Sequence, residues 1–320
     1  MRQAAALLAQ VSPERTRDEL FRILEGYQPR TGLEILDRVG ALEQVVPEVV
    51  VLKGVTQSEP HVHDVWMHTL ELISRLCLVL SVLAEEFNPD KASNLISGML
   101  SLQLGRYRQA LIEHFGKRIT PDRSLRSILF MAGLFHDCGK SLTRQVDQEG
   151  RVRFLGHDLE GEKLVTGRAQ ALRLSNQEIA RLGNIVRHHM RPLLLGQSEE
   201  LPTRKAVYRF FRDTGEAGVD ISILSLADVL ATYGSTLRQE DWAHHLDVIR
   251  CLLEAWWEHP KAQVAPPPLV NGNELMDALG LNPGPGIGQL LEAIREAQAV
   301  GTVDSKEQAL QFARQLSEKN

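Results

Sequence analysis

Cysteine is scarce in this sequence. Cys77, Cys138 and Cys251 are the only three in 320 residues; they are odd in number and lack CxxC spacing. A disulfide framework is therefore not expected, and a reducing compartment is. Aromatic residues make up only 5%, and alternation with a period of two is almost missing; Arg151–Phe154 alone reads as a short turn or strand. No run of apolar residues is long enough to cross a bilayer, the longest lying near Leu76–Ala84. The first twenty residues contain Arg2 but neither an apolar core nor a small-residue cleavage site, so no signal peptide is expected. The expectation is a cytoplasmic protein without membrane contact. Nor is there an excess of positive charge: the net charge of -5 does not mark a nucleic-acid binder, although a basic patch can hide within such an average.

What is present points to helix. Ser12-Pro13 pairs a cap residue with proline at the first helical position. Ser175 and Glu178 have capping-box spacing, which Asp304 and Glu307 imitate. From Ile179, apolar residues recur at Leu182, Ile185 and Val186, the period of an amphipathic helix. The fold class predicted is all-α. Residues 1–57 read as a neck-like set of short helices, 58–260 as a helical body with an excursion at 88–123, and 261–320 as a proline-rich linker and helical tail.

Histidine is abundant, at eleven residues, and several sit where core residues belong. His68 shares a helix face with Val65 and Leu72. His136-Asp137 ends the run SILFMAGLF, which is apolar all round and so reads as a buried helix. His157 lies in LGHDLEGE, and of the pair His188-His189 the second extends the stripe of Ile179, Leu182 and Val186. Asp228 is flanked on its own helix by Leu224, Ala227 and Ala231. A single histidine on an apolar face is ordinarily a hydrogen-bonded core residue. A buried carboxylate is different, because it demands a partner. A cation shared by Asp137 and Asp228, with imidazoles completing its shell, satisfies that demand. Imidazole with carboxylate suits Mn, Fe, Ni or Zn better than Ca, and Mg is also allowed.

The order His68, His136-Asp137, Asp228, with GLFHDCGK at its centre, resembles the HD-domain superfamily of metal-dependent phosphohydrolases. That resemblance implies an orthogonal helix bundle with these four residues as metal ligands. It also implies a place for a second ion, held by His157, His188 and His189, with Asp137 as the bridge. Two ions about 3.5–4 Å apart clamp a phosphoryl group and supply a hydroxide. Lys140, following the turn at Gly139, is expected to neutralise phosphate charge, with Arg144 and Arg191 as further candidates for binding substrate. Asp137 and Lys140 are the residues expected to carry the chemistry.

A closer resemblance runs through RDELFRIL, GLEILDRVGALEQVVPEV, HDVWMHTLE, RFLGHDLEGEKL, VRHHMRP and NGNELMDALGLNPGPGIGQLLEAIREAQ. These segments resemble the neck, body and tail of bacterial CCA-adding tRNA nucleotidyltransferases and their poly(A) polymerase relatives. The catalytic head of those enzymes, with its Gly-Ser motif and paired Asp-x-Asp, is not found here, so nucleotide addition by this polypeptide alone is not expected. The resemblance implies instead a phosphomonoesterase or 2′,3′-cyclic phosphodiesterase acting on a nucleotide or RNA 3′ end. The alternative is a non-catalytic module that binds tRNA, other RNA or a partner. Two basic groups, Arg106, Arg108, Lys117, Arg118, Arg123 and Arg126, then Arg204, Lys205, Arg209 and Arg212, could track an RNA backbone. GLFHDCGKS imitates a phosphate-binding loop but has one residue too many and follows a helix, so it is rejected.

Overall fold

The structure is a computed structural model that describes residues 5–86 and 94–318. Apart from two small antiparallel hairpins it is helical. The first long helix, α1 (Pro13–Glu25), begins where Ser12 Oγ accepts the Arg15 amide, and it buries Leu20, Phe21 and Leu24. Helix α2 (Pro29–Arg38) and the single turns α3 (Leu42–Val45) and α4 (Pro47–Val50) complete the neck-like segment. A loop then leads to α5 (Val65–Val82), capped by Asp64, whose Oδ1 accepts the Met67 amide at 2.7 Å.

The described part of the excursion is α6 (Leu95–Leu104), α7 (Arg108–Gly116) and the hairpin of β1 (Arg118–Thr120) with β2 (Arg123–Ser124). Its turn at Tyr107 stacks on Trp257, 5.5 Å between ring centroids, and donates to Glu258 at 2.7 Å. It thus packs against the last long helix of the body, away from the metal-ligand candidates. Helix α8 (Leu125–Phe135) opens with a Ser124–Ser127 capping box, and all but one of its residues are buried. Each fully buried Leu or Phe there contributes about 1.5–3 kcal/mol. That burial stabilises a central helix whose end can carry polar residues.

After the turn of α9 (Lys140–Thr143) comes the hairpin of β3 (Gln145–Val146) with β4 (Val152–Arg153), at the place read as a short strand. Helices α10 (His157–Ala171) and α11 (Asn176–His188) follow as an antiparallel pair. The short α12 (Arg191–Leu195) leads to α13 (Arg204–Thr214), the wholly interior α14 (Ala217–Tyr233) and α15 (Gln239–Trp257). The tail is α16 (Gly272–Leu279), α17 (Pro285–Val300) and α18 (Lys306–Ser317). One core extends from Leu20 to Val264, so the neck-like segment and the body share it, while the tail has a small core of its own around Leu275, Ile287 and Ile294.

Two local expectations are refined. The cap of α18 is Ser305, which accepts the Gln308 amide, not Asp304. Helices α5 and α14 also reach bilayer-spanning length and hydropathy, with 56% and 83% of those stretches buried inside the protein. The sequence reading missed this because His68, Glu71, Asp220 and Asp228 interrupt their apolar runs.

The basic groups are largely engaged within the chain. Arg209 and Lys205 pair with Glu296, and Arg212 with Glu292, fastening α13 to α17. Arg106 pairs with Glu258, Lys117 with Glu216 and Arg123 with Glu178.

Candidate metal centre

Five helices deliver the site. Helix α5 presents His68 one turn after its cap, α8 ends in His136 and Asp137, α10 begins with His157, and α14 carries Asp228. His189 closes α11 as its C-terminal cap. All these side chains are buried. Asp228 and His157 are the most exposed, at 6% and 9%, so the mouth lies on their side.

The side chains form two groups that share Asp137. In the first, His68 Nε2 lies 3.0 Å from Asp228 Oδ1 and 3.6 Å from Asp137 Oδ2, and His136 Nε2 lies 3.1 Å from Asp137 Oδ2. In the second, Asp137 Oδ1 is 3.6 Å from His157 Nε2 and 3.7 Å from His189 Nε2. Each group could hold a metal ion. The Nδ1 atoms of His136, His157 and His189 face the carbonyls of Gly133, Phe154 and Val186 at 2.9, 2.8 and 2.7 Å. A carbonyl can only accept, so those nitrogens carry the proton, and in the neutral form of each ring the Nε2 lone pair is the one turned inward. His136 Nε2 lies 3.2 Å from His68 Nε2, which can carry a proton toward Asp228 Oδ1 at 3.0 Å, whereas His157 and His189 Nε2 meet head-on at 3.3 Å. Opposed lone pairs at that distance need a cation or a shared proton between them. His68 Nδ1 is buried without a hydrogen-bond partner.

Charge reinforces the point. Two buried carboxylates face one buried ammonium, Lys140 Nζ, 2.7 Å from Asp137 Oδ2 in an ion pair rather than an aligned hydrogen bond. Burial alone would lower the His136 pKa, but the Asp137 and Asp228 carboxylates outweigh it and raise it. Burial would raise Asp137, yet His136 and Lys140 hold it well below the usual carboxylate range. At His189 the same carboxylates are outweighed; burial, with His157 and His136 adding to it, takes its pKa to about 3. The donor set therefore fits one or two divalent ions bound by neutral imidazole and carboxylate.

The turn after the ligands is fixed by Gly139. A Cβ there would overlap the His157 carbonyl oxygen and lie 2.6 Å from the Gly161 amide nitrogen. Close backbone approach thus sets the start of α10, and with it His157, against the Asp137 turn.

Among the other candidates, the structure does not bring His188 to either group. Successive helical residues point about 100° apart, so with His189 inward His188 is half-buried, its pKa lowered by burial and by Arg191 and Arg187. Arg191, expected to bind substrate, is engaged by Asp213 at 2.6 Å and by the Phe210 ring. Arg144 is exposed, 3.5 Å from Thr56 Oγ1 in the loop that carries Gln57. Two residues beside the site were not anticipated. Gln57 Oε1 accepts from Lys140 Nζ at 2.7 Å. His61 lies edge-on to His68, 5.4 Å between centroids, and burial together with Lys140 takes its pKa to about 4. The signal for His61 was its place as the first of three histidines in HVHDVWMH, three residues ahead of the Asp64 cap.

Comparison with known proteins agrees with this layout. Residues 95–233 match the HD domain, a span that holds every ligand candidate except His68, and residues 1–52 match the probable RNA and SrmB-binding site of polymerase A. The chain is 33% identical over 301 residues to the CC-adding tRNA nucleotidyltransferase of Thermus thermophilus, covering 93% of this chain and 56% of that protein. It is 30% identical to the A-adding tRNA nucleotidyltransferase of Deinococcus radiodurans, over 95% of this chain and 58% of that protein. With the multifunctional CCA protein of Pseudomonas aeruginosa it shares 31% identity over 57% of this chain and 34% of that protein. The chain thus spans little more than half the length of the first two relatives. Over that shared length it is homologous to CCA-adding tRNA nucleotidyltransferases, and it carries an HD domain within it.

Proposed function

We propose that this protein is a metal-dependent phosphohydrolase acting on a phosphomonoester or 2′,3′-cyclic phosphate of a nucleotide or an RNA 3′ end. The observation that supports this most is Asp137, whose two oxygens are divided between two sets of inward-facing Nε2 atoms. A divalent ion bound there supplies Lewis acidity and acidifies water. The chain's own residues account for the rest. Asp137 and Asp228 supply negative donors, and the Nδ1–carbonyl bonds fix the imidazole rings. Lys140 brings a buried positive charge to the phosphate, and the exposed Arg144, one turn beyond it, is available to the part of the substrate outside. Hydrolysis adds water's oxygen to phosphorus, and the ester oxygen leaves with a proton.

The RNA 3′ end enters this reading through the match of residues 1–52 and through the relatives, which are tRNA nucleotidyltransferases by name. The same matches favour a second reading, a module that binds tRNA or other RNA without catalysis. A hydrolysis panel separates the two: 2′,3′-cyclic AMP, nucleoside monophosphates and a generic diester, with Mn, Ni or Mg added, for wild type and Asp137→Ala. Metal-dependent turnover that disappears in the variant is expected. Folded, metal-loaded wild type that turns over none of them would give way to the binding-module reading.

A further inference from the structure

Lys140 Nζ stands between two oxygens at the same distance, 2.7 Å from Asp137 Oδ2 and 2.7 Å from Gln57 Oε1. The residue is 6% exposed, with its ammonium 5.4 Å from the centroid of the Phe154 ring. Gln57 is held in turn, its Nε2 donating to the His63 carbonyl at 3.3 Å. The loop around it is tied to both neighbours of the site. Ser58 Oγ accepts the Val152 amide at 2.7 Å, and the Val62 amide donates to the Thr232 carbonyl at 3.3 Å, one turn beyond Asp228.

We infer that Gln57 is a positioning residue that keeps the Lys140 ammonium beside Asp137 without letting it compete for the cation site. Asp137 Oδ2 is the oxygen that His136 and His68 also approach, at 3.1 and 3.6 Å, so a cation in that group and the ammonium draw on one acceptor. Like charges so placed repel, and a buried ammonium needs a second acceptor. Gln57 supplies one without adding charge. Leucine at 57 leaves Lys140 only Asp137, and the ammonium then opposes metal binding. Glutamate keeps an oxygen for Lys140 but sets a negative charge against any bound phosphate. The phosphate half of this inference rests on the phosphohydrolase reading; the metal half does not.

The test uses the full chain and measures Mn²⁺ binding by electron paramagnetic resonance without substrate, then inorganic phosphate binding by calorimetry at saturating Mn²⁺. Gln57→Leu should bind Mn²⁺ about tenfold more weakly. Gln57→Glu should keep Mn²⁺ affinity within about twofold yet bind phosphate about tenfold more weakly. In a Lys140→Met background, Gln57→Leu should no longer change Mn²⁺ affinity, which a merely structural role would not predict. Folded Gln57→Leu with wild-type Mn²⁺ affinity overturns the inference, as does an equal loss of affinity in the Lys140→Met background. If wild type hydrolyses nothing, the proposed function falls, while the Mn²⁺ comparison still decides the role of Gln57.

Discussion

Helices α11 and α14 each take part in two buried clusters of histidine and carboxylate, and the two clusters differ in one respect. Near the start of α14, Asp220 is fully buried against Arg181 and lies 3.4 Å from His114 Nε2, while Glu216 takes Arg181 at 2.9 Å and Lys117 at 2.8 Å. Two carboxylates there meet two fixed cations. Two turns further along, Asp228 joins Asp137, and among the described residues Lys140 is the one lysine or arginine paired with them. The ingredients are the same, but one cluster is neutralised by the chain and the other is short of positive charge. Buried His/Asp groups alone therefore do not mark a candidate metal centre; the shortfall of positive charge among the described residues is what sets this one apart.

The comparison can be broken most severely at Arg181. Arg181→Ala leaves Asp220 buried without its partner and should lower unfolding free energy by about 3–5 kcal/mol in urea titrations. A loss no greater than that of Asp137→Ala would erase the distinction. Next in size is the response to metal. Mn²⁺ at about 100 times its dissociation constant should stabilise wild type by about 2.7 kcal/mol, and a chelator should reverse this. Asp137→Ala should show no such gain in thermal scans, whereas Glu216→Gln should keep it.

Acid sharpens the contrast further. Although burial would raise it, hydrogen bonds from Lys117 and Arg181 lower the Glu216 pKa from 4.5 to about 2. A carboxylate lowered on folding contributes stability that is full above its unfolded pKa and is lost as pH falls towards the folded one. Denaturation midpoints should therefore drop between pH 4.5 and about 2, and Glu216→Gln should flatten that part of the curve. The smallest effect belongs to His188. His188→Ala should change stability by no more than about 0.5 kcal/mol and leave Mn²⁺ affinity as it was.

How far the sequence could be read follows the range of the interactions. Caps are local, so Ser12 and Ser175 were found where helices begin, and the one slip, Asp304 for Ser305, is a single position. His68, His136, Asp137 and Asp228 stood out because each is costly in an apolar helix. Gln57 and His61 carry no such signal: they are polar residues in a polar loop, and only the packing of the neck-like segment on α5 brings them to Lys140. Nor does spacing link His114, Arg181 and Asp220, which lie on three separate helices. The basic run on α13 looked free because its partners, Glu292 and Glu296, lie some eighty residues away.

The contact at Gly139 has a consequence for how such a centre can change over evolutionary time. Beside the shared Asp137, the gap between its two halves is gauged by main chain against main chain, at the His157 carbonyl and the Gly161 amide. Ligands can be exchanged, and with them the preferred ion, while the interval between the two positions is inherited unchanged. A lineage could thus retune its chemistry one side chain at a time without refitting the helices, so long as that glycine remains.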